Sequence, residues 1–586
     1  MNVNGDVNHG RHFSVAREEA RTRVRLPKKL IVCCDGTWMN ADSGWVEGGW
    51  GQPGHLQNPT NVTRIARAVA SEDKGHHPQI VYYQAGIGTG IGLYNHLLGG
   101  GTGLGLAENV REAYAFLASN YAENDKLVPN DFLIGFSRGA YTARTLGAFI
   151  GSTGILKKQT MPHFYEIFED WNRAGDPHYE PLFFRSYFEH HKDVKPIRPD
   201  AKLAKSKKPA DRDAYLEEYS QMLRDLSLTQ KVKINCIGVW DTVGALGIPV
   251  NPLLQHVFPF LPSFIRTYRW FDTRLDSHVE NAFHALALDE RRFPYSPAVW
   301  ERRSGCTSNL QQVWFPGAHS NVGGSYEDAG MANITLAWMM DQLSGNTMEH
   351  PEDFTHHDWI QFDEELLKAW YDCSSDWAEE HKDPIYKGWA RGKVYDSCTF
   401  PQSLAGQKTR TPGRYHGTFY ESGDVDPRRL LENTNEHIHS SVRARIDVGG
   451  RDVEPESSPG FPLSIFSRLW HYFSGRKASA YEPQRSTQPL AGWRLEDGHA
   501  SHGHPNWNID MSPNGTQHEI KWVFEGDGKV AKKSMPEAKL GRYERILLQN
   551  DEKLADKMES TNKGLKGFFN EEDRPKERGR TWPLRR

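Results

Sequence analysis

Apolar positions along the chain gather in short unbroken runs, with helical periodicities between them. The run KKLIVCC, Lys28 to Cys34, reads as a strand buried on both faces, and Asp35, Gly36 and Thr37 end it with a turn signal. QIVYY at 79–83, DFLI at 131–134, KVKINCIGVW at 231–240 and QQVWF at 311–315 predict four further strands. Asn58, Pro59, Thr60 and Asn61 cap a predicted helix reaching about Ala70, with Val62, Ile65, Ala66 and Val69 on one face. Val110, Ala113, Phe116 and Leu117 set the register of a second helix, and others follow Gly139 and surround Ile334 to Leu343. Buried strands alternating with helices predict an α/β fold, a mostly parallel sheet with helices on both faces.

Three segments depart from that alternation. Residues 1–27 are polar and of mixed charge, a flexible tail. Residues 155–229 are helical, charged and without buried strands, which predicts a helical insertion, a cap beside the cleft. Beyond 345 the pattern loosens. The organisation expected is a 28–345 catalytic domain followed by a mixed, loop-rich C-terminal extension, 346–586, packing on it.

Composition narrows the classes. Hydrophobic residues are 38% and charged residues 25% of 586, enough apolar content for a core, so disorder of the whole chain is excluded. Lys and Arg number 71 against 75 Asp and Glu, a net charge of -4, so no basic excess exists to hold nucleic acid. The six Cys form no CxxC pair, which removes support for a structural zinc or dithiol site and fits a reducing compartment. The N-terminus has no apolar core of a signal peptide, and no run approaches 18 apolar residues. The expectation is an intracellular, cytoplasmic protein without a transmembrane helix.

Chemistry concentrates at three strand ends. Gly135-x-Ser137-x-Gly139 lies between a buried strand and a small-residue helix, the setting of a nucleophile elbow. A sharp turn there lifts the serine oxygen clear of the sheet at a helix N-terminus, where developing negative charge is favoured. Serine needs a general base at neutral pH, and the base needs a carboxylate to fix its tautomer. Asp241 follows the strand ending at Trp240, and His319 follows the strand ending at Phe315, in the order Ser, acid, His. Asp328, Asp289 and Asp35 are reserve candidates for the acid. The backbone N–H of Arg138 is the first expected oxyanion donor, and the Gly36–Thr37 turn the second. The glycine-dense stretch from Gly86 to Gly105 contains neither phosphate-loop pattern and reads as a rim loop over the cleft. His499, His502 and His504 stand in a polar loop and read as solvated. No metal and no cofactor is expected.

Five motifs together resemble one family. Cys34 to Trp38 (CDGTW), Asn58 to Val62 (NPTNV), Gly135 to Ala140 (GFSRGA), Val239 to Gly244 (VWDTVG) and Gly317 to Gly324 (GAHSNVGG) look like the Tle1-like phospholipase catalytic domain. That family has an α/β-hydrolase fold and includes bacterial type VI secretion lipase effectors and many fungal proteins. The resemblance covers about 28–345. It implies a serine hydrolase of glycerophospholipid esters, with Ser137 as nucleophile and His319 and Asp241 as its partners. An acyltransferase or peptidase on the same triad, and a catalytically silent lipid-binding or adaptor protein on the scaffold, are the alternatives. A lipid substrate leaves two readings for the chain's apolar surface segments, peripheral membrane contact or packing on the catalytic domain. Two segments are concerned: 251–271, crowded with Leu and Phe between prolines, and 461–473, where Leu463, Phe466, Leu469, Trp470 and Phe473 recur at helical spacing near basic residues.

Overall fold

The computed structural model describes residues 27–36, 45–46, 55–56, 58–86, 103–121, 131–193, 199–206, 208–243, 274–345, 359–380, 386–398, 406–418, 425–452, 454–455, 480–496 and 520–549. The tail, most of the glycine-dense stretch, Thr37, both candidate lipid-contact segments and the 499–504 histidines lie outside them.

One sheet of ten strands organises the chain. In sequence they are β1 (Lys29–Cys34), β2 (Gln79–Gln84), β3 (Asp131–Phe136), β4 (Ile234–Trp240), β5 (Val279–Ala287), β6 (Asn309–Phe315), β7 (Glu436–His439), β8 (Trp493–Glu496), β9 (Lys521–Phe524) and β10 (Ser534–Ala538). Their order across the sheet is β8-β9-β10-β7-β6-β5-β4-β3-β1-β2. Every neighbouring pair from β2 through β10 is parallel; β9 alone runs against both of its neighbours. All five predicted strands are present. β5 lies between two of them and carries no continuous apolar run.

Helices follow the strands: α1 (Asn61–Ala68), α2 (Gly103–Asn120) and α3 (Arg138–Thr153), then α4 (Phe164–Asn172), α5 (Leu182–His190) and α6 (Pro209–Asp225), then α7 (Gly330–Leu343), α8 (Glu364–Glu380), α9 (Ser440–Asp447) and α10 (Arg542–Gln549). The buried strands read as unbroken apolar runs because both faces are covered. Leu30, Val32 and Leu133 join one cluster with Val110 and Leu117 of α2 and Leu146 and Phe149 of α3. Ile31, Cys33, Phe132 and Ile134 point the other way, against Val62 and Ile65 of α1, Ile334 and Trp338 of α7 and Leu547 of α10. This is the α/β architecture with helices on both faces.

The 155–229 segment leaves and rejoins the sheet at the end of α3 away from Ser137. Ile155–Leu156 pairs antiparallel with Thr229–Gln230 there, 16 residues or ~24 Å of helix from the serine. Phe164, Phe168 and Trp171 of α4 pack on Phe149 of α3, and α6 lies along α3. It also packs on α2, where Phe164 meets Tyr114 with ring centroids 5.1 Å apart and Tyr165 Oη donates to Glu108 at 2.8 Å. The C-terminal extension does more than pack on the domain before it. β7 pairs with β6, and β10, β9 and β8 continue the same sheet, so residues past 345 supply four of its ten strands.

Candidate functional site

Ser137 occupies the turn between β3 and α3 with φ 58 and ψ -121, a backbone region that L-residues rarely hold. Its N–H donates to the Trp240 carbonyl at 3.1 Å, which ties the turn to the end of β4. The flanking glycines are required by space. A Cβ on Gly139 would stand 2.2 Å from the Cys34 carbonyl oxygen and 2.4 Å from that of Asp35, and one on Gly135 would stand 2.5 Å from the Gly139 carbonyl. The helix thus starts in contact with the turn after β1, where Gly36 lies.

Asp241, one residue past β4, is fully buried and also has positive φ, 39. Its N–H donates to the Ala285 carbonyl at 2.7 Å, in register with β5. His319 begins a short helical turn after β6, and its Nδ1 lies 2.6 Å from Asp241 Oδ2. Burial resists ionisation of Asp241, but the Arg410 guanidinium and the His319 contact outweigh it and hold the carboxyl well below the usual range. An ionised carboxylate only accepts, so Nδ1 carries the proton and Nε2 keeps its lone pair. Burial pushes the imidazole below its ordinary value, against the raising effect of Asp241. An imidazole in that state can take a proton at Nε2.

The ring of His319 sits beside the serine turn. Phe136, the residue before Ser137, lies against it with centroids 4.6 Å apart, and Tyr295 meets it edge-on at 4.8 Å. Arg292 stacks on Tyr295, 3.5 Å from its centroid. Glu290 accepts from the His319 N–H at 3.2 Å, from Ser397 Oγ at 2.9 Å and from Arg292.

The reserve carboxylates lie elsewhere. Asp289 accepts from the Gly317 N–H and from Tyr481 Oη, shaping the loop that carries His319. Asp328 accepts from the Gly330 and Lys393 N–H groups. Asp35 accepts from Thr60, Thr63 and Tyr83 hydroxyls and from the Gly36 N–H at 2.6 Å. That last bond corrects the expectation for Gly36. Its N–H, expected to face an oxyanion, is taken up by the adjacent carboxylate, and Thr37 lies outside the described residues.

Residues with no motif around them complete the site. Arg410, in the extension, donates to both Asp241 oxygens, to Oδ2 at 2.9 Å. Glu290 and Tyr295 follow β5, the strand that hydrophobic periodicity does not mark. Arg410 sits in a loop-rich stretch where a buried charge leaves no periodic trace, and pairing with Asp241 becomes visible only in three dimensions. Asn61 of the NPTNV motif donates to the Val322 and Ala332 carbonyls and to Thr335 Oγ1, each at 3.0 Å, bolting α1 to α7 and to the end of the His319 turn.

A cavity of about 590 Å³ lies along α3 on its insertion side, lined by Tyr141, Arg144, Arg212, Asp213, Arg274 and Arg303 among others. None of Ser137, Asp241 and His319 lines it. Among the described residues no His, Cys, Asp and Glu group is disposed to hold a metal, and no helix is long and apolar enough to cross a membrane.

Residues 28–342 match the family described as the T6SS (type VI secretion) phospholipase effector Tle1-like catalytic domain. The chain belongs to that family, and its catalytic-domain class is that of phospholipase effectors. An uncharacterised protein of Saccharomyces cerevisiae is 25% identical over 281 residues, covering 45% of this chain and 31% of its own length. The match thus spans about a third of that curated relative. A crystal structure of an uncharacterised protein from Pseudomonas aeruginosa matches 56% of this chain and 47% of its own at 15% identity, with a TM-score of 0.27.

Proposed function

We propose that this protein is a serine hydrolase of carboxylic esters, acting on phospholipid or other lipid acyl esters through an acyl-enzyme. Ser137 is the nucleophile, His319 its general base and Asp241 the acid that orients the imidazole. The observation that carries the reading is the strained serine at φ 58 on a strand-to-helix turn, with a carboxylate-bound imidazole packed beside it. The membership of a phospholipase family supports the lipid substrate.

In the mechanism, His319 Nε2 takes the Ser137 proton as Oγ attacks the ester carbonyl. The imidazolium that forms is stabilised by Asp241 and then protonates the leaving alcohol. The oxyanion is met by the Arg138 N–H, at the N-terminus of α3. Water, activated by the same imidazole, releases the acid. Each step uses only groups of the chain.

A fluorophosphonate probe tests this directly. The wild type should label and Ser137→Ala should not, and the labelled wild type should lose hydrolysis of a short-chain phosphatidylcholine. A wild-type protein that neither labels nor hydrolyses esters would favour the silent lipid-binding alternative.

A further inference from the structure

We infer that Arg410, supplied by the C-terminal extension, is the positioning residue for the Asp241–His319 pair, so that residues 28–342 alone lack part of the catalytic apparatus. The inference rests on the serine-hydrolase reading above.

The argument begins with the acceptor positions of Asp241. Oδ1 accepts from Arg410 Nη1 and from the Ala287 N–H at 3.0 Å; Oδ2 accepts from Arg410 Nη2 at 2.9 Å and from His319 Nδ1 at 2.6 Å. All four in-plane acceptor positions of the carboxylate are filled. A planar two-pronged donor fixes rotation about Cβ–Cγ, which a single hydrogen bond does not, and so holds Oδ2 toward the imidazole. The guanidinium itself is immobile. Its nitrogens also donate to the Ala287 carbonyl at 2.8 Å and the Tyr295 carbonyl at 2.7 Å.

The loop that carries Arg410 is clamped at both ends. Lys408 donates to the Arg291 carbonyl at 2.8 Å and Gly406 accepts from the Phe293 N–H at 3.0 Å. On the other side the Gly413 N–H donates to Glu436 Oε2 at 2.9 Å, the same oxygen that takes the Trp314 indole N–H from β6. The extension therefore joins the sheet through β7 and, from that anchorage, delivers one cation to the acid.

Charge adds to geometry. Asp241 and Arg410 are both buried, and each is tolerable there because the other is present. Remove the cation and the field around His319 turns more negative, so the imidazole holds its proton more tightly, while Asp241 loses the two-pronged donor and keeps only the Ala287 N–H and His319 to fix its plane. The turnover step suffers, and substrate binding does not.

The test uses the full chain and p-nitrophenyl butyrate, with Ser137→Ala and Asp241→Asn as references. Arg410→Met, checked for folding by circular dichroism, should lose about 100-fold in kcat with KM within about threefold. The acid limb of its kcat/KM profile should move to higher pH, and in Arg410→Ala, which leaves the space open, added methylguanidine should restore part of the rate. Arg410→Lys, which keeps the charge without the fork, should fall between. A folded Arg410→Met with wild-type kcat and acid limb, beside inactive references, overturns the proposal and leaves the triad standing. Active Ser137→Ala would instead remove the triad reading. If Arg410→Met does not fold, Arg410→Lys decides by the same readings; if neither folds, Arg410 is a strut of the fold and the positioning role is overturned.

Discussion

Ser137 and His319 stand at the ends of β3 and β6, separated across the sheet by β4 and β5, and they are held in different ways. On the serine side the backbone does the positioning. Positive φ at Ser137, a ladder bond to Trp240 and glycines in van der Waals contact with carbonyls leave the turn one conformation. On the histidine side buried charges do it. Asp241, Arg410, Glu290 and Arg292 alternate in sign around the imidazole, each hydrogen-bonded to the next or to the backbone. A site built from backbone tolerates no added atom; a site built from charge tolerates no lost one. Substitutions of matched size on the two sides should therefore fail for different reasons, one in stability and the other in rate or pH dependence.

The largest effect should come where both sides meet. Ser137→Ala and His319→Ala should each cost at least ~10⁴-fold in ester hydrolysis, and the double change little more than either alone, because the groups act as one unit. Additive losses, measured with the same soluble ester, would mean that the two sides work separately. Asp241→Asn should follow at about 10³-fold or more, since the amide presents Nδ1 with the wrong partner. Asp328→Asn, at the start of α7, should leave kcat within about threefold. Full activity in Asp241→Asn would move the acid to another carboxylate.

Gly139→Ala sharpens the contrast from the backbone side. The new Cβ would overlap the Cys34 and Asp35 carbonyl oxygens, and backbone cannot rotate away as a side chain can. A loss of about 3 kcal/mol in chemical denaturation is expected. The acid limb of whatever activity survives should stay where the wild type has it. A shifted limb would show that the serine turn also sets the electrostatics of the imidazole.

The difference between the sides also explains how much was legible beforehand. Strands buried on both faces leave unbroken apolar runs, so β1, β3, β4 and β6 were readable, and with them the strand-end positions of Ser137, Asp241 and His319. A turn that needs glycine writes glycine into the sequence, as at Gly135 and Gly139. A buried charge network writes nothing periodic. β5 escaped because VENAFHALA, residues 279–287, mixes Glu, Asn, His and Ala into a central strand; buried His284 there accepts the Thr242 N–H at 3.1 Å. Burial pushes that imidazole down to about 3, which keeps it neutral and able to accept. Arg410 escaped for the same reason, being 169 residues from its partner in a segment without rhythm. The insertion was readable as helical; what the sequence does not carry is which helix flanks it packs on, since its aromatic residues could meet either neighbour.

The smallest effect should be the most discriminating. Glu290 lies behind His319, where burial opposes its charge but Arg292 outweighs burial and holds the carboxyl down at about 2. It is therefore ionised throughout the working range, and its charge raises the proton affinity of His319. Glu290→Gln keeps the volume and an acceptor for the His319 N–H while removing that charge and leaving Arg292 unbalanced. Both changes make the imidazole a weaker base. The base acts only when neutral, so kcat/KM should rise with pH as His319 loses its proton, and burial draws that limb below the ordinary imidazole range. Glu290→Gln should move the limb to still lower pH and cost about threefold in kcat at neutral pH, through reduced basicity. Arg410→Met, which removes a cation instead, should move it the other way. Opposite displacements in two folded variants would show that the histidine side is tuned by the balance of its charges; displacements of the same sign would mean that the limb reports distortion of the site and not its field.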